Sequence, residues 1–399
     1  MTPYRNSEPR PPIMQGSPPK LIVPRQDWDR APWNRWAFQH IREIVPTVEV
    51  WRGHGHRQHF KRAERDLEGL EFDTEAGRTT LAQHLDDTYT DGFLVLKNGE
   101  LVFGRYFNGM TERTLHLSQS VAKSIVGTTF GILAGRGVVD PTAPVTDYLP
   151  ELEATGWQGA TLQQVLDMTT GVRFDETYEN PQSDIGKVDV ACGWKPPPES
   201  SDPDYRWPAN MWEVILGLRD KVRPHGESFV YRSIETDVLG FVIERVTGKR
   251  LSEIVSEELW QKIGAEESAC FTVDTAGTSV ADGGFNATLR DYGRFGQLIL
   301  DGGRGIVPAA WIEATRNGKY DQVYNPSFPQ GSYKNQFWIE DQRSRTLMAR
   351  GVFGQLIYIS FDHNMVVVKL SSYPDFSNIA FSKATLVAIH AIAAEFGGA

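Results

Sequence analysis

The alternation of apolar and polar positions predicts β-hairpins near both ends of the chain. Towards the amino terminus, FLVLKNGELVFGRYF (Phe93 to Phe107) contains two β-rich runs that flank Asn98-Gly99, and this dipeptide is typical of a type I′ hairpin turn. Towards the carboxyl terminus, QLIYISFDHNMVVVKLSS predicts a second hairpin that turns at residues 362–364. Between the two hairpins, Leu115 to Gly137 predicts one long helix with a strongly apolar body.

Helical periodicity dominates the middle of the chain and returns at its end. The further segments that predict helices are TLQQVLDMT, MWEVILGLRD, IETDVLGFVIERV, LSEIVSEELWQKIG, LRDYGRFGQLILDGG and FSKATLVAIHAIAAEF. Strands at both ends with helices between them predict an α+β fold, in which one antiparallel sheet is built from both termini and flanked by helices. We place the α/β part at roughly 36–135 and 285–399, and an inserted, mainly helical part at roughly 136–284.

Two segments lack this periodicity. Residues 1–35 are rich in proline and poor in aliphatic side chains, which predicts an amino-terminal arm that is extended on the surface or partly disordered. The folded domain then covers residues 36–399. Residues 172 to about 210 are also irregular and contain three successive prolines at 196–198. Irregular segments of that length inside a compact protein usually carry function.

Composition and charge exclude several classes of partner. The net charge of -10 argues against a nucleic-acid partner, because binding the phosphate backbone needs basic surface. The amino terminus has no apolar run typical of a signal peptide, and we find no run of about 18 apolar residues that would predict a membrane span. We therefore expect a cytoplasmic protein with no membrane partner, and a homodimer as the default assembly.

Metal and disulfide chemistry have little support in the sequence. Cys192 and Cys270 predict free, reduced thiols. His54, His56 and His59 stand close together but have no carboxylate or thiol near them in sequence, so we expect a solvated loop there and not a zinc site. The chain has no glycine-rich loop of a phosphate-binding type, and we expect neither a metal nor a cofactor.

Ser120 and Lys123 stand three residues apart at the start of the predicted long helix. Residues at that spacing share one helix face, so Ser120 Oγ and Lys123 Nζ can meet. A serine hydroxyl becomes a nucleophile when a base removes its proton, and burial beside the apolar helix would lower the pKa of Lys123 so that it can be that base. The helix N-terminus adds N–H groups that can hold an oxyanion. The alternative is a helix-capping serine followed by a surface lysine.

Tyr231 is the candidate for a third group that passes a proton to the leaving atom. A tyrosine followed two residues later by Asn or Ser is a weak pattern, because it also occurs at Tyr106, Tyr178, Tyr333 and Tyr358. The position of Tyr231 between a β-like run and a helix favours it, since a turn there would project the phenol and the Ser233 hydroxyl into a cleft. The alternative is a core tyrosine with a satisfied hydroxyl.

These motifs and the chain around them resemble the penicillin-recognising serine hydrolases, the superfamily of class C β-lactamases and DD-peptidases. Within that superfamily the chain is similar to the nylon-oligomer hydrolases and their carboxylesterase relatives. The resemblance implies a β-lactamase/DD-peptidase-like fold and an acyl-enzyme that cleaves short linear amides of the 6-aminohexanoate type or short-chain esters. It extends over most of the chain, in the runs TYTDGFLVLKNGE, SQSVAKSIVGT, VVDPTAPVTDYLPEL, VLDM, TDVLGFVIERVTG, ADGG, ILDGG, FPQGSY and VVVKLSSYPD.

The resemblance also implies catalytic roles for individual residues. Ser120 would be the nucleophile, Lys123 the general base and Tyr231 the proton relay to the leaving amine or alcohol. The backbone N–H of Val352 would complete an oxyanion hole with that of Ser120, since no side chain is required for that role.

By the same resemblance, the irregular segment supplies substrate-binding residues. Tyr178, in ETYEN, would hydrogen-bond the amide nitrogen of the substrate, and Asp189, in KVDVACGW, would hold its free ammonium end. A carboxylate in a partly closed cleft suits that task, because a charge-assisted hydrogen bond is less screened there than on the surface. Without the resemblance, an exposed loop carboxylate is the simpler interpretation of Asp189. Ser233 completes the candidate substrate-binding set.

Two departures from the superfamily bear on its substrates. Gly351 to Gln355 (GVFGQ) stands where relatives have Lys-Thr-Gly or His-x-Gly, with Phe353 in place of a histidine. We therefore expect the cleft to lack a cation for a substrate carboxylate, which weakens a β-lactamase or D-amino-acid peptidase interpretation. Residues 195–208 form a longer insertion than expected, so pocket shape stays open. A non-catalytic binding protein on this fold is the remaining alternative.

Overall fold

The computed structural model describes residues 1–199, 202, 204–318 and 325–397. Its strands are β1 (Thr47–Val50), β2 (Glu71–Thr74), β3 (Gly77–Thr80), β4 (Thr90–Lys97), β5 (Glu100–Tyr106), β6 (His116–Leu117), β7 (Ala269–Thr272), β8 (Phe285–Ala287), β9 (Ser332–Lys334), β10 (Phe337–Ile339), β11 (Leu347–Gly351), β12 (Gln355–Ser360) and β13 (Met365–Ser371).

The helices divide into a long helix early in the chain, a series of shorter ones in its middle and a terminal helix. They are α1 (Asn34–Ala37), α2 (Leu81–Asp87), α3 (Val121–Gly135), α4 (Val145–Tyr148), α5 (Leu162–Leu166), α6 (Asp184–Ala191), α7 (Met211–Gly217), α8 (Ile234–Thr247), α9 (Leu251–Val255), α10 (Leu289–Leu300), α11 (Ala309–Arg316) and α12 (Ile379–Gly397). Short 3-10 turns lie at Ile41–Glu43, Pro150–Ala154 and Val352–Gly354, and α9 continues into a π-helical turn at Ser256–Trp260.

The central layer is a seven-stranded antiparallel sheet with the strand order β5-β4-β13-β12-β11-β10-β9. Because β4 pairs with β13, the sheet joins strands from both ends of the chain, which confirms the predicted α+β architecture. Both predicted hairpins are present, β4–β5 around Asn98-Gly99 and β12–β13 around residues 361–364. Asn98 (φ 54°) and Gly99 (φ 76°) are both left-handed, as a type I′ turn requires.

Helices cover both faces of this sheet. Successive residues of a strand point to opposite faces, and on β13 the side chains of Val366 and Val368 belong to one hydrophobic cluster while Val367 belongs to another. The first cluster also contains the buried side chains of α3 and α10, and the second contains those of α12 and α2. The alternating pattern of β13 therefore reflects a strand that is buried on both sides.

The inserted region contains α4 to α9 but is not wholly helical. β7 lies within residues 136–284 and belongs to a second, four-stranded antiparallel sheet with the order β1-β7-β8-β6. Directly after β6, both the backbone N–H and the hydroxyl of Ser118 donate to the Phe285 carbonyl on β8, each at 3.0 Å. The small sheet thus holds the segment that leads into Ser120.

The amino-terminal arm is held against the domain by apolar anchors. Tyr4, Ile13 and Trp28 are each exposed by 5% or less. The indole N–H of Trp28 donates to the Trp194 carbonyl at 2.8 Å, in the irregular segment near the candidate site. The arm therefore lies on the surface of the domain, which favours the first of the two alternatives for residues 1–35.

The terminal helix α12 corrects one expectation from the sequence. By length and composition alone it is apolar enough to cross a membrane, with a mean hydropathy of 1.4 over its most apolar window, of which 33% is buried. The face that carries Leu386, Ile389 and Ile392 packs into the second hydrophobic cluster. One face of α12 is therefore part of the core of the domain.

Candidate active site

Ser120 and Lys123 meet as their spacing predicts. Ser120 ends the turn that follows β6 and is the N-cap residue of α3, and its side chain remains partly exposed. Lys123 lies in the first turn of α3 and is only 2% exposed. Its ammonium donates to Ser120 Oγ at 3.1 Å and to the backbone carbonyl of Asp282 at 2.6 Å. The lysine is therefore buried against the serine, and the alternative of a surface lysine is wrong.

The pKa of Lys123 differs from the lowered value that the sequence analysis expects. Burial by itself lowers the pKa of an ammonium, but the acidic groups around Lys123 outweigh burial and raise its pKa overall. In decreasing order of effect these groups are Tyr231, Asp282, Glu176 and Asp237. The expected lowering of the Lys123 pKa is therefore wrong, because acidic side chains far apart in sequence, Tyr231 together with three carboxyl groups, converge on the lysine.

Tyr231 lies in the same cluster, inside an aromatic cage. Its ring stacks on Trp338 (centroids 5.6 Å apart, 14° between planes) and meets Tyr333 edge-on. Lys123 Nζ is 5.4 Å from the centre of the Tyr231 ring. Burial raises the pKa of Tyr231, against the effects of the Lys123 charge and of a hydrogen bond with Ser120. The phenol therefore keeps its proton at neutral pH and is placed to donate it.

Glu176 organises two of the predicted substrate-binding residues and was missed by the sequence analysis. The Tyr178 hydroxyl donates to Glu176 Oε1 at 2.8 Å. The Ser233 hydroxyl donates to the same oxygen at 2.5 Å, and the Ser233 N–H donates to Oε2 at 3.0 Å. Burial raises the pKa of Glu176, against the lowering effect of Lys123. The only signal in the sequence was a carboxylate two residues before Tyr178, which does not distinguish it from any loop residue.

Asp189 lies on α6 and lines the same cleft as Ser120. Its carboxylate is 3.4 Å from Lys195 Nζ, and Lys195 also pairs with Asp29 of the amino-terminal arm at 2.8 Å. Burial raises the pKa of Asp189 to about 7; Lys195 opposes this shift, and Asp29 adds to it by a smaller amount. Asp189 is thus not the exposed loop carboxylate of the simpler interpretation, and two carboxylates share one lysine beside the cleft.

The turn after β11 brings Val352 beside Ser120. A Cβ on Gly351 would lie 2.4 Å from the Ser118 carbonyl oxygen and 3.0 Å from the Ser120 nitrogen, so only glycine allows this approach. No turn, loop or side-chain acceptor in the described parts of the chain takes a hydrogen bond from the Ser120 or Val352 N–H. Both residues line the cleft. Their two N–H groups are therefore available to an oxyanion.

Phe353 does not face the cleft. Its backbone is left-handed (φ 62°), and its ring is 5% exposed and packs edge-on against Phe38 at 5.2 Å. The side chain at this position therefore contributes to the core and does not decide the charge of the site. The cleft nevertheless contains a cationic residue, because Arg350 on β11 is one of its lining residues. The expectation that the cleft lacks a cation is wrong.

The cleft has two lobes that meet at Ser120, Tyr178 and Val352, which line both. We call the narrow cavity of about 40 Å³ that Asp189 and Asp282 line the acidic lobe.

The second cavity, of about 250 Å³, is lined by Tyr231, Trp338, Arg350 and Tyr373 among others, and we call it the basic lobe. Arg350 is the only charged residue among the described residues that line it. Ser120 therefore stands between one cavity lined by two acidic side chains and another lined by an arginine.

The remaining predictions concern the insertion and metal binding. Of residues 195–208, positions 200, 201 and 203 lie outside the described residues, and Lys195 is the member that reaches the site. Both cysteines are buried and unpaired by a disulfide. His59 lies 3.3 Å from Glu266, and within the described chain no group of three or more metal-binding side chains occurs.

The chain is similar in sequence and in structure to known hydrolases. The beta-lactamase family profile matches residues 78–392. The chain is 37% identical over 358 residues to the 6-aminohexanoate-dimer hydrolase of Paenarthrobacter ureafaciens. The alignment covers 87% of this chain and 88% of that protein. A solved structure from Bacillus anthracis, provisionally described as a 6-aminohexanoate-dimer hydrolase, has a TM-score of 0.86 at 32% identity, over 96% of this chain and 99% of that one. A family VIII carboxylesterase shares the fold, with a TM-score of 0.57 at 18% identity, over 78% and 95% of the two chains.

Proposed function

Since this chain belongs to the beta-lactamase family, we propose that it is a serine hydrolase that cleaves short linear amides of the 6-aminohexanoate type, and short-chain esters, through an acyl-enzyme on Ser120. The observation that carries the proposal is the contact between Ser120 Oγ and the buried Lys123 Nζ at 3.1 Å, where the two lobes of the cleft meet. The name of the Paenarthrobacter ureafaciens relative supports the amide substrate.

The proposed reaction uses four groups in sequence. Lys123, in its neutral form, takes the Ser120 proton while Ser120 Oγ bonds to the carbonyl carbon of the substrate. The Ser120 and Val352 N–H groups hold the oxyanion. The C–N or C–O bond then breaks, Tyr231 protonates the leaving atom, and Lys123 returns a proton to Tyr231. Water next attacks the acyl carbon and gives a proton to the same pair, which releases the acid and restores the Ser120 hydroxyl.

A fluorophosphonate probe and a substrate panel test the proposal together. We expect the probe to add one adduct to the intact protein, and peptide mass spectrometry to place it on Ser120. We expect turnover of a linear 6-aminohexanoate dimer and of a p-nitrophenyl ester. Labelling elsewhere, or no labelling, would contradict the acyl-enzyme. Ester and nitrocefin turnover without amide turnover would favour the β-lactamase alternative.

The rate on a neutral ester is expected to rise with pH. Because the pKa of Lys123 is raised above that of a free lysine, only a small fraction of the amine is neutral at pH 7, and this fraction grows about tenfold with each pH unit. The value of kcat/KM reports ionisations of the free enzyme. We therefore expect kcat/KM for a p-nitrophenyl ester, corrected for spontaneous hydrolysis, to rise from pH 6 to pH 9 without a plateau. A plateau below pH 8 would mean that burial, and not the neighbouring acidic groups, determines the pKa of Lys123.

Asp189→Asn is expected to weaken binding of amino-terminated substrates selectively. The carboxylate holds an ammonium only when ionised, and with a pKa of about 7 Asp189 is ionised above neutral pH and loses its charge below it. At pH 8 we expect KM for the amide dimer to rise about tenfold, as for loss of a charge-assisted hydrogen bond. At pH 6 the difference from the wild type should shrink. Steady-state kinetics with a neutral ester provide the control, and equal losses on both substrates would refute the ammonium role.

A further inference from the structure

Arg350 is a charged residue in the cleft that the proposed reaction does not use. It lies on β11 directly before Gly351, with its guanidinium 4.7 Å from the centre of the Phe328 ring. Burial lowers its pKa to about 10, so it remains a cation at neutral pH. Throughout the described ranges, no acceptor takes a hydrogen bond from this guanidinium and no carboxylate forms an ion pair with it.

An unpaired guanidinium in a partly closed cavity indicates a binding partner. Burying a charge without hydrogen bonds costs free energy. Arg345, by contrast, donates to Glu313 and Asn317. Arg350 lines the basic lobe, and a carboxylate of a molecule bound there would supply the missing hydrogen-bond acceptor.

The second observation is the polarity of the cleft. Asp189 and Asp282 line the acidic lobe on one side of Ser120, and Arg350 lines the basic lobe on the other. Tyr231, the proposed proton donor to the leaving atom, lines the basic lobe and does not line the acidic one. The basic lobe is therefore the side on which the leaving half of a substrate would lie.

We propose that Arg350 binds the carboxylate of a zwitterionic linear amide, whose ammonium-bearing acyl half lies in the acidic lobe and whose carboxylate-bearing leaving half lies in the basic lobe. The inference rests on the proposed function, since it names the substrate class of the same site. When the C–N bond of this substrate breaks, the amino-acyl half, which holds the reacting carbonyl, stays on Ser120 Oγ, and the amino acid with the free carboxylate leaves with a proton from Tyr231 on its nitrogen.

Two compounds that differ only in the terminal charge test this role. N-acetyl-6-aminohexanoate and its terminal carboxamide both imitate the leaving half, and their Ki values are measured at pH 7.5 as inhibitors of p-nitrophenyl ester hydrolysis. For the wild type we expect the carboxylate to bind about tenfold or more tightly than the carboxamide. In Arg350→Met this ratio should fall to about one, and in Arg350→Lys it should lie between the two values. A wild-type ratio near one, or an unchanged ratio in Arg350→Met, would overturn the proposal.

Matched measurements separate this inference from the proposed function. Arg343→Met removes an arginine that lies outside the cleft, and we expect it to keep the wild-type ratio. Failure of amide turnover would refute the amide substrate but would leave the Ki ratio measurable through the ester. If ester turnover is also lost, calorimetric Kd values for the same two compounds on the wild-type protein give the ratio directly. If Arg350→Met does not fold, the ratio in Arg350→Lys is decisive: a ratio below the wild-type value supports the role, and a ratio equal to the wild-type value refutes it.

Discussion

Ser120→Ala is expected to reduce turnover of a p-nitrophenyl ester to below about 1% of the wild-type rate. The substitution removes the oxygen that would form the acyl-enzyme, while Lys123, Tyr231 and the two N–H groups of the oxyanion hole keep their positions. Steady-state kinetics and fluorophosphonate labelling measure the loss, and both signals should disappear together.

Ser124→Ala is the matched control for this substitution. Ser124 lies one turn further along α3 and is buried, but its hydroxyl donates to the Gln336 carbonyl at 2.7 Å and does not line the cleft. Its removal should change stability more than rate. Activity of Ser120→Ala above about 1%, with the probe still bound, would move the nucleophile to another residue.

Lys123→Met is expected to lower kcat on the same ester by about 10²–10⁴-fold, the range typical of a lost general base. Methionine has a similar length and suits the buried position, but it cannot accept the Ser120 proton. The pH dependence should also change, because the rise in kcat/KM between pH 6 and pH 9 depends on the neutral amine of Lys123. Rate measurements across that range, with thermal unfolding to verify folding, test both parts.

Lys383→Met serves as the control, because Lys383 pairs with Glu75 on the surface, at 2.8 Å, and is not in the cleft. It should keep both the wild-type rate and the wild-type pH profile. If Lys123→Met retained more than about a tenth of the activity, with the same slope against pH, a different base would have to activate Ser120.

Much of the candidate site could be predicted from short segments of sequence. Ser120 and Lys123 meet because they are three residues apart on one helix, and the Asn98-Gly99 turn follows from a preference of two adjacent residues. Tyr231 was favoured by its position between a β-like run and a helix, whereas Asp189 needed the resemblance to known hydrolases, since an exposed loop carboxylate was the simpler interpretation. In the structure both line the cleft beside Ser120.

The residues that sequence analysis missed act across long distances in the chain. Glu176 holds Ser233 from 57 positions away, and Asp282 contacts Lys123 from 159 positions away. Arg350 directly precedes Gly351 to Gln355, and its neighbours in sequence do not indicate that it lines the cleft. The left-handed backbone at Phe353 turns that side chain into the core against Phe38.

Local pattern along the chain was thus sufficient for the hairpins, the body of the long helix and the serine–lysine pair, because each depends on residues within a few positions of one another. The predicted start of that helix at Leu115 is wrong, since His116–Leu117 form β6 and α3 begins at Val121. The protonation of Lys123, the pairing of Lys195 with both Asp189 and Asp29, and the distribution of acidic and basic side chains between the two lobes were decided only by the folded chain. Electrostatic energy depends on distance and burial in space, and neither quantity can be read from separation in sequence.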